Sequence, residues 1–98
     1  MEPYRIAFDF DSNSSHWRPY TEQNKAFLRC QENYANDLRQ TRGHLFLNEL
    51  FDMLGMKRTK EGQIVGWVDK AVVFDTSIGR DGKINIVLDI EGVIYDMI

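Results

Sequence analysis

The run from Asn36 to Val68, NDLRQTRGHLFLNELFDMLGMKRTKEGQIVGWV, constrains the fold more than any other part of the chain. A strongly amphipathic helix, a glycine stop, a basic turn and a strand follow one another in it. The helical pattern begins upstream: from Thr21, which stands where it can cap a helix, to Arg42, the residues Phe27, Cys30, Tyr34 and Leu38 recur at helical spacing. Arg39 and Arg42 sit where cations complement a helix C-terminus. A second, shorter stripe of Leu47, Leu50, Phe51 and Leu54 predicts a helix over 44–54, with Gly55 as its left-handed terminator. At about 100° per residue the two stripes point to nearly opposite sides of one continuous helix, so the phase breaks near Gly43. Glycine costs a helix interior about 1 kcal/mol relative to alanine, and two helices are the reading that follows.

Strand signals flank this helical centre. Tyr4, Ile6, Phe8 and Phe10 alternate with polar or small residues, the period of a half-buried strand, and the polar cluster Asp11–His16 then reads as a loop that Arg18-Pro19 continues. After the charged turn Lys57–Gly62, strands dominate: Ile64–Val68, the β-branched and aromatic 71–74, and Ile84, Ile86, Leu88 and Ile90 in clean alternation. Arg80-Asp81-Gly82-Lys83 carries an Asp-Gly hairpin signal, and Gly92 permits another turn before Val93-Ile94-Tyr95. The expectation is an α+β fold in which two consecutive helices, 21–42 and 44–54, pack on a small antiparallel sheet built from the N-terminal strand and a C-terminal meander. At 98 residues and 43% hydrophobic content the chain fits one domain over residues 1–98 with a modest closed core, with Trp67 as a candidate core residue.

Composition excludes several classes. The one cysteine, Cys30, cannot form an intramolecular disulfide, so a disulfide-stapled secreted scaffold is ruled out; on its apolar stripe it reads as a small core residue. Met1 is followed by Glu2 and Pro3 without a basic-then-apolar run, and no apolar stretch reaches the length of a membrane span, which predicts a cytoplasmic protein with no membrane partner. The net charge is −3 with an isoelectric point near 5.3, so direct nucleic-acid binding through a basic stripe is disfavoured. Residues 63–98 carry six acidic against three basic side chains, which concentrates the acidic excess in the C-terminal part.

No constellation meets the demands of a known reaction. Asp9-Phe10-Asp11 after a hydrophobic strand resembles the aspartate pair of haloacid-dehalogenase-like phosphatases, but the chain is too short and too antiparallel to supply the remaining acids and lysine. The same stretch matches the first positions of a calcium-binding helix-loop-helix, then fails where Ser14 replaces the glycine and Tyr20 the bidentate acid. A capped polar turn is the better reading. His16, His44 and Cys30 lack zinc-motif spacing, and no base is specified to activate the Cys30 thiol, so no metal or other cofactor is expected. If a helix ran through Gly43, Asp37, His44, Asn48 and Asp52 would share one stripe, a candidate partner surface whose bland alternative is a solvated helix face.

Asn36-Asp37-Leu38, Arg42–Glu49, Asp52–Gly55, Arg58-Thr59-Lys60 and Val65-Gly66-Trp67, with an echo at Leu88-Asp89 and Gly92-Val93-Ile94, resemble a family of small uncharacterised proteins carried by phages and integrative elements of Gram-positive bacteria. The resemblance implies a small non-enzymatic module in the bacterial host cytoplasm whose partner is a host or element-encoded protein. It extends to inhibition of a host defence nuclease in the manner of anti-CRISPR proteins. Asp75, Asp89, Glu91 and Asp96 would then meet a basic nucleic-acid channel on that partner. Two alternatives stand beside it: a small metal-dependent hydrolase or regulator using Asp9, Asp11 and His16, and a self-associating scaffold, a homo-oligomer in which Phe46 and Met53 extend the apolar face.

Overall fold

The alternating segment Ile84–Ile90 forms the central strand of the principal sheet. The computed structural model describes residues 4–79 and 82–97, and in it strand β1 (Tyr4–Phe10) is followed by helix α1 (Thr21–Arg42), strand β2 (Leu45–Phe46) and helix α2 (Leu47–Met53). A single 3-10 turn (Glu61–Gln63) then leads to β3 (Val65–Trp67), β4 (Phe74–Ile78), β5 (Ile84–Ile90), β6 (Gly92–Val93) and a closing 3-10 turn at Tyr95–Met97. The principal sheet has the order β1-β5-β4 and the second the order β2-β3-β6, all pairs antiparallel. Burial follows the strand period: Ile84, Ile86, Leu88 and Ile90 are buried, while Asn85, Val87 and the exposed Asp89 take the opposite face.

Both helices cover the apolar face of that sheet. Phe51 of α2 meets Phe8 edge-on at 5.4 Å, and Phe27 of α1 stacks on Phe10 at 5.6 Å. Trp67, fully buried, ties the sheets together, its indole N–H donating to the Asp89 carbonyl at 3.0 Å. The α+β expectation therefore holds, with one refinement. The C-terminal strands do not form one continuous meander: β4 and β5 pair as a hairpin, while β3 and β6 join β2 in a separate sheet. The hairpin closes with Gly79 N–H donating to the Lys83 carbonyl at 2.8 Å. Arg80 and Asp81, half of the Asp-Gly signal, lie outside the described residues.

The expected break is present. Gly43 caps α1 in the left-handed region at φ 84°, its N–H donating to the Arg39 carbonyl at 2.7 Å, a conformation that glycine adopts without a Cβ penalty. The second helix starts later than expected, at Leu47 rather than 44, because Leu45 and Phe46 are drawn into β-pairing with Trp67 and Gly66. Its acid cap is Glu49, which accepts the Phe46 N–H at 2.9 Å and takes both its oxygens to Arg42 at 2.7 and 2.9 Å. Its end is a Schellman closure, with Met56 N–H to the Phe51 carbonyl and Gly55 N–H to that of Asp52.

The face that α1 buries also differs from the expected stripe. Asn24, Leu28 and Ala35 are buried and Phe27 and Leu38 pack against the core, whereas Cys30 is exposed and Tyr34 is 52% exposed. Thr21 is the first helical residue and no side chain caps the end, because the cap position falls on Tyr20. Phe46 and Met53 are half-buried, Met53 against the core itself.

Three asparagines hold the irregular segments by one repeated device. In each, the side-chain oxygen accepts the backbone N–H of a single loop residue while the side-chain nitrogen donates to the carbonyl of that same residue. Asn24 grips Arg18 (2.9 and 2.6 Å), Asn36 grips Val72 (2.8 and 2.8 Å) and Asn48 grips Thr59 (2.8 and 2.9 Å). The loops thereby satisfy backbone groups that would otherwise be costly to bury. Helix α1 adds Glu32, which accepts the Phe74 N–H at 2.6 Å, and Arg39, which donates to the Val68 carbonyl at 3.0 Å.

Candidate functional site

The stripe of Asp37, His44, Asn48 and Asp52 does not exist, because the chain leaves the helical path at Gly43 and re-enters it in a different direction. Asp37 is exposed on α1, and His44 lies in the connector with its ring 5.5 Å from Phe46 and its Nε2 3.1 Å from Arg42. Asn48 is buried in its grip on Thr59. Asp52 is paired with Arg58, whose Nε lies 3.0 Å from Oδ1, and the Arg58 hydrogen bond holds the Asp52 carboxyl below the usual aspartate range despite the opposing effect of burial.

Of the C-terminal acids, the fold brings two together. Asp75 on β4 opposes Val87, and Asp89 lies two residues along β5 on the same outward face, where Arg5 of β1 stands directly opposite it. Arg5 donates to Asp89 at 2.7 Å and also feels the Asp75 charge. The hydrogen bond from Arg5, ahead of its charge, keeps the Asp89 carboxyl below its ordinary range against a small opposing desolvation. The result is an uncovered polar sheet face carrying Arg5, Asp75 and Asp89. Asp96 is exposed in the closing turn, away from this register.

Glu91 has a different task. It stands where the chain passes from β5 to β6, and its Oε1 accepts the backbone N–H groups of Val68, Asp69 and Lys70 at 2.8, 2.9 and 2.9 Å. Burial raises its pKa, but the three N–H donors, with Arg39 nearby, outweigh it and leave the carboxyl below the usual glutamate range. Glu91 is thus half-buried mortar between the sheets rather than a free surface acid. A folded-state pKa depressed below the unfolded value contributes stability that is complete above the ordinary glutamate value of about 4.3 and is lost as pH falls through the folded value. Glu91→Ala should cost about 2–3 kcal/mol at neutral pH. The gap from the parent chain should narrow in denaturant titrations below about pH 4; a gap independent of pH would remove the assignment.

The residues considered for metal chemistry are engaged separately. Asp9 lies 3.7 Å from Lys83 and 3.2 Å from the Asn85 amide. Asp11 accepts the Asn13 N–H at 2.9 Å, closing the polar turn read from the sequence, and His16 stacks on Phe27 at 4.9 Å. The loop is anchored by buried Ser14, whose hydroxyl donates to the Leu54 carbonyl at 2.6 Å. Among the described residues no three His, Cys, Asp or Glu side chains are grouped to hold one ion.

Sequence reading missed a groove of about 310 Å³ between α1 and β4. Its wall carries Glu22, Lys25 and Arg29, and its apolar floor includes Leu28, Phe74 and Ile84. The helical spacing of Lys25 and Arg29 is visible in the sequence, but the strand they face is fixed only by tertiary packing.

Fold and surface together define a small α+β domain with two antiparallel sheets, one polar sheet face left open and one groove beside an edge strand. The chain belongs to a family of unknown function, DUF6353, whose family model matches residues 3–96. No curated protein and no solved structure matches it. Among the described residues no helix is long and apolar enough to cross a membrane.

Proposed function

We propose that the chain is a non-enzymatic protein-interaction module of a phage or mobile element that binds a host protein and inhibits a host defence nuclease. The observation that carries this reading is the open face of the β1-β5-β4 sheet, where Asp75 and Asp89 share one side and Arg5 holds Asp89. A nuclease must hold a polyanion in a basic channel, and ordered carboxylates on a flat sheet present charge complementary to such a channel. The resemblance of the central run to mobile-element proteins supplies the setting. Asp37 on α1 and Asp96 in the closing turn are exposed but lie off this face.

The test is a DNA-cleavage assay of defence nucleases from a Gram-positive host, titrated with the purified chain. Inhibition is expected, and Asp75→Lys should weaken it roughly tenfold or more through charge reversal at the contact while the melting temperature stays near that of the parent. Absence of inhibition by the parent chain, or inhibition indifferent to Asp75→Lys, would sink the proposal.

A further inference from the structure

We infer that the free edge of β1 is a self-pairing surface: two copies of the chain join β1 to β1 across a twofold axis at Ala7 and merge their principal sheets into one. This stands independently of the reading above, and it places self-association on an edge strand rather than on Phe46 and Met53.

The edge is open by register. β1 stands at the end of the strand order β1-β5-β4. Gly79 N–H donates to the Lys83 carbonyl, so by the alternation of an antiparallel ladder Asn85, Val87 and Asp89 also aim their backbone groups toward β4. Ile84, Ile86, Leu88 and Ile90 therefore serve β1, through Phe10, Phe8, Ile6 and Tyr4. Arg5, Ala7 and Asp9 are left directing N–H and C=O outward, where these groups meet no partner among the described residues. Such a row of unpaired groups is a template for another strand. The opposite edge is less free, since the outward Phe74 N–H of β4 is held by Glu32.

What commits the edge to a second copy is the charge pattern of β1 itself. With the axis at Ala7, Arg5 of each copy faces Asp9 of the other, and every outward residue finds a hydrogen-bonding counterpart. Ala7, exposed and small, sits where the two strands cross the axis. On the reverse side Ile6 of each copy faces Phe8 of the other, and both are hydrophobics that the core only partly buries. Other symmetric registers are poorer: a shift by one ladder step sets Arg5 or Asp9 against Ala7, and a shift by two sets Arg5 against Arg5 or Asp9 against Asp9. Arg5 has donors to spare, because its Nε bonds Asp89 at 2.7 Å while its terminal nitrogens donate to nothing among the described residues, and its side chain is 70% exposed. Asp9 takes the Asn85 amide at 3.2 Å and lies 3.7 Å from Lys83, which leaves acceptor positions on the carboxylate. Across the joined strands the row reads Asp89, Arg5, then Asp9 and Asn85 of the second copy, with no like charges adjacent.

Analytical ultracentrifugation of the full chain over a wide range of concentration tests this. The parent is expected as a reversible monomer–dimer system. Ala7→Pro, which removes the N–H at the centre of the added ladder from an edge position that accommodates proline, should weaken the dimer roughly tenfold or more. Arg5→Glu and Asp9→Arg should each be monomeric, because each sets like charges against one another on both sides of the axis. Their equimolar mixture should recover a dimer, since the acidic strand of one variant then meets the basic strand of the other. Misfolding does not produce recovery on mixing, so the mixture decides the matter even where Ala7→Pro melts early. A parent that stays monomeric, a dimer that either charge variant forms alone, or a mixture that does not associate overturns the inference.

Discussion

Trp67→Ala is expected to cost about 3–5 kcal/mol, the range for truncating a large buried aromatic ring. The ring is fully buried on β3, and it is the side chain that joins the two sheets, with its N–H bonded to the Asp89 carbonyl of β5 at 3.0 Å. Truncation therefore opens a cavity at the seam between the sheets and leaves a carbonyl without its donor, two costs that add. Trp67→Phe separates them: it keeps most of the volume and gives up the hydrogen bond, at about 1–2 kcal/mol. Urea denaturation followed by far-ultraviolet circular dichroism measures both. A midpoint for Trp67→Ala close to the parent would mean that the sheets do not meet across this ring.

Gly66→Ala should be nearly as damaging, at about 3 kcal/mol, the upper end of what overpacking a filled interior costs. A Cβ at Gly66 would stand 2.0 Å from the Leu45 carbonyl oxygen and 2.9 Å from the Phe46 Cα. Both obstacles are backbone of the paired strand β2, so no flexible side chain can swing away. The strand pair must separate, and with it the start of α2, which begins at the residue after β2. Amide exchange adds a local signature: the Leu45–Trp67 and Phe46–Gly66 pairing should lose protection before β1 and β5 do. Full stability in Gly66→Ala would show that β2 and β3 are not in close contact in solution.

What could be read from the residues was whatever has a long period or a strong punctuation mark. The 22-residue helix, its stop at Gly43, the stop at Gly55 and the alternation of β5 each rest on several turns or residues of regular pattern. Of the second sheet, the β3 segment reads as a strand, but β2 and the grouping of β2, β3 and β6 into a sheet of their own do not, because strands of two or three residues carry no period that sets their partners. The buried face of α1 is rotated from the stripe that apolar residues alone mark: Phe27 and Leu38 do pack on the core, but Asn24 is buried and Cys30 and Tyr34 are exposed. An asparagine within a helical pattern reads as a solvated position until the loop it grips is known. The same holds for Glu91, whose three donors lie 21 to 23 residues away. On the candidate surface, Asp75 and Asp89 are visible as acids in the sequence, but their shared face and the bond from Arg5 to Asp89 depend on strand register.

The asparagine grips have a consequence for how freely this surface can vary. Each clasp reads only the main chain, which is common to all residues except proline, so it is blind to the identity of the amino acid it holds. Around Val72, the exposed positions Lys70, Ala71 and Val73 can exchange side chains while Asn36 keeps the path of the loop. The molecule thereby separates the trajectory of a connecting segment from its chemistry, and proline at position 59 or 72 is the substitution such a scaffold forbids.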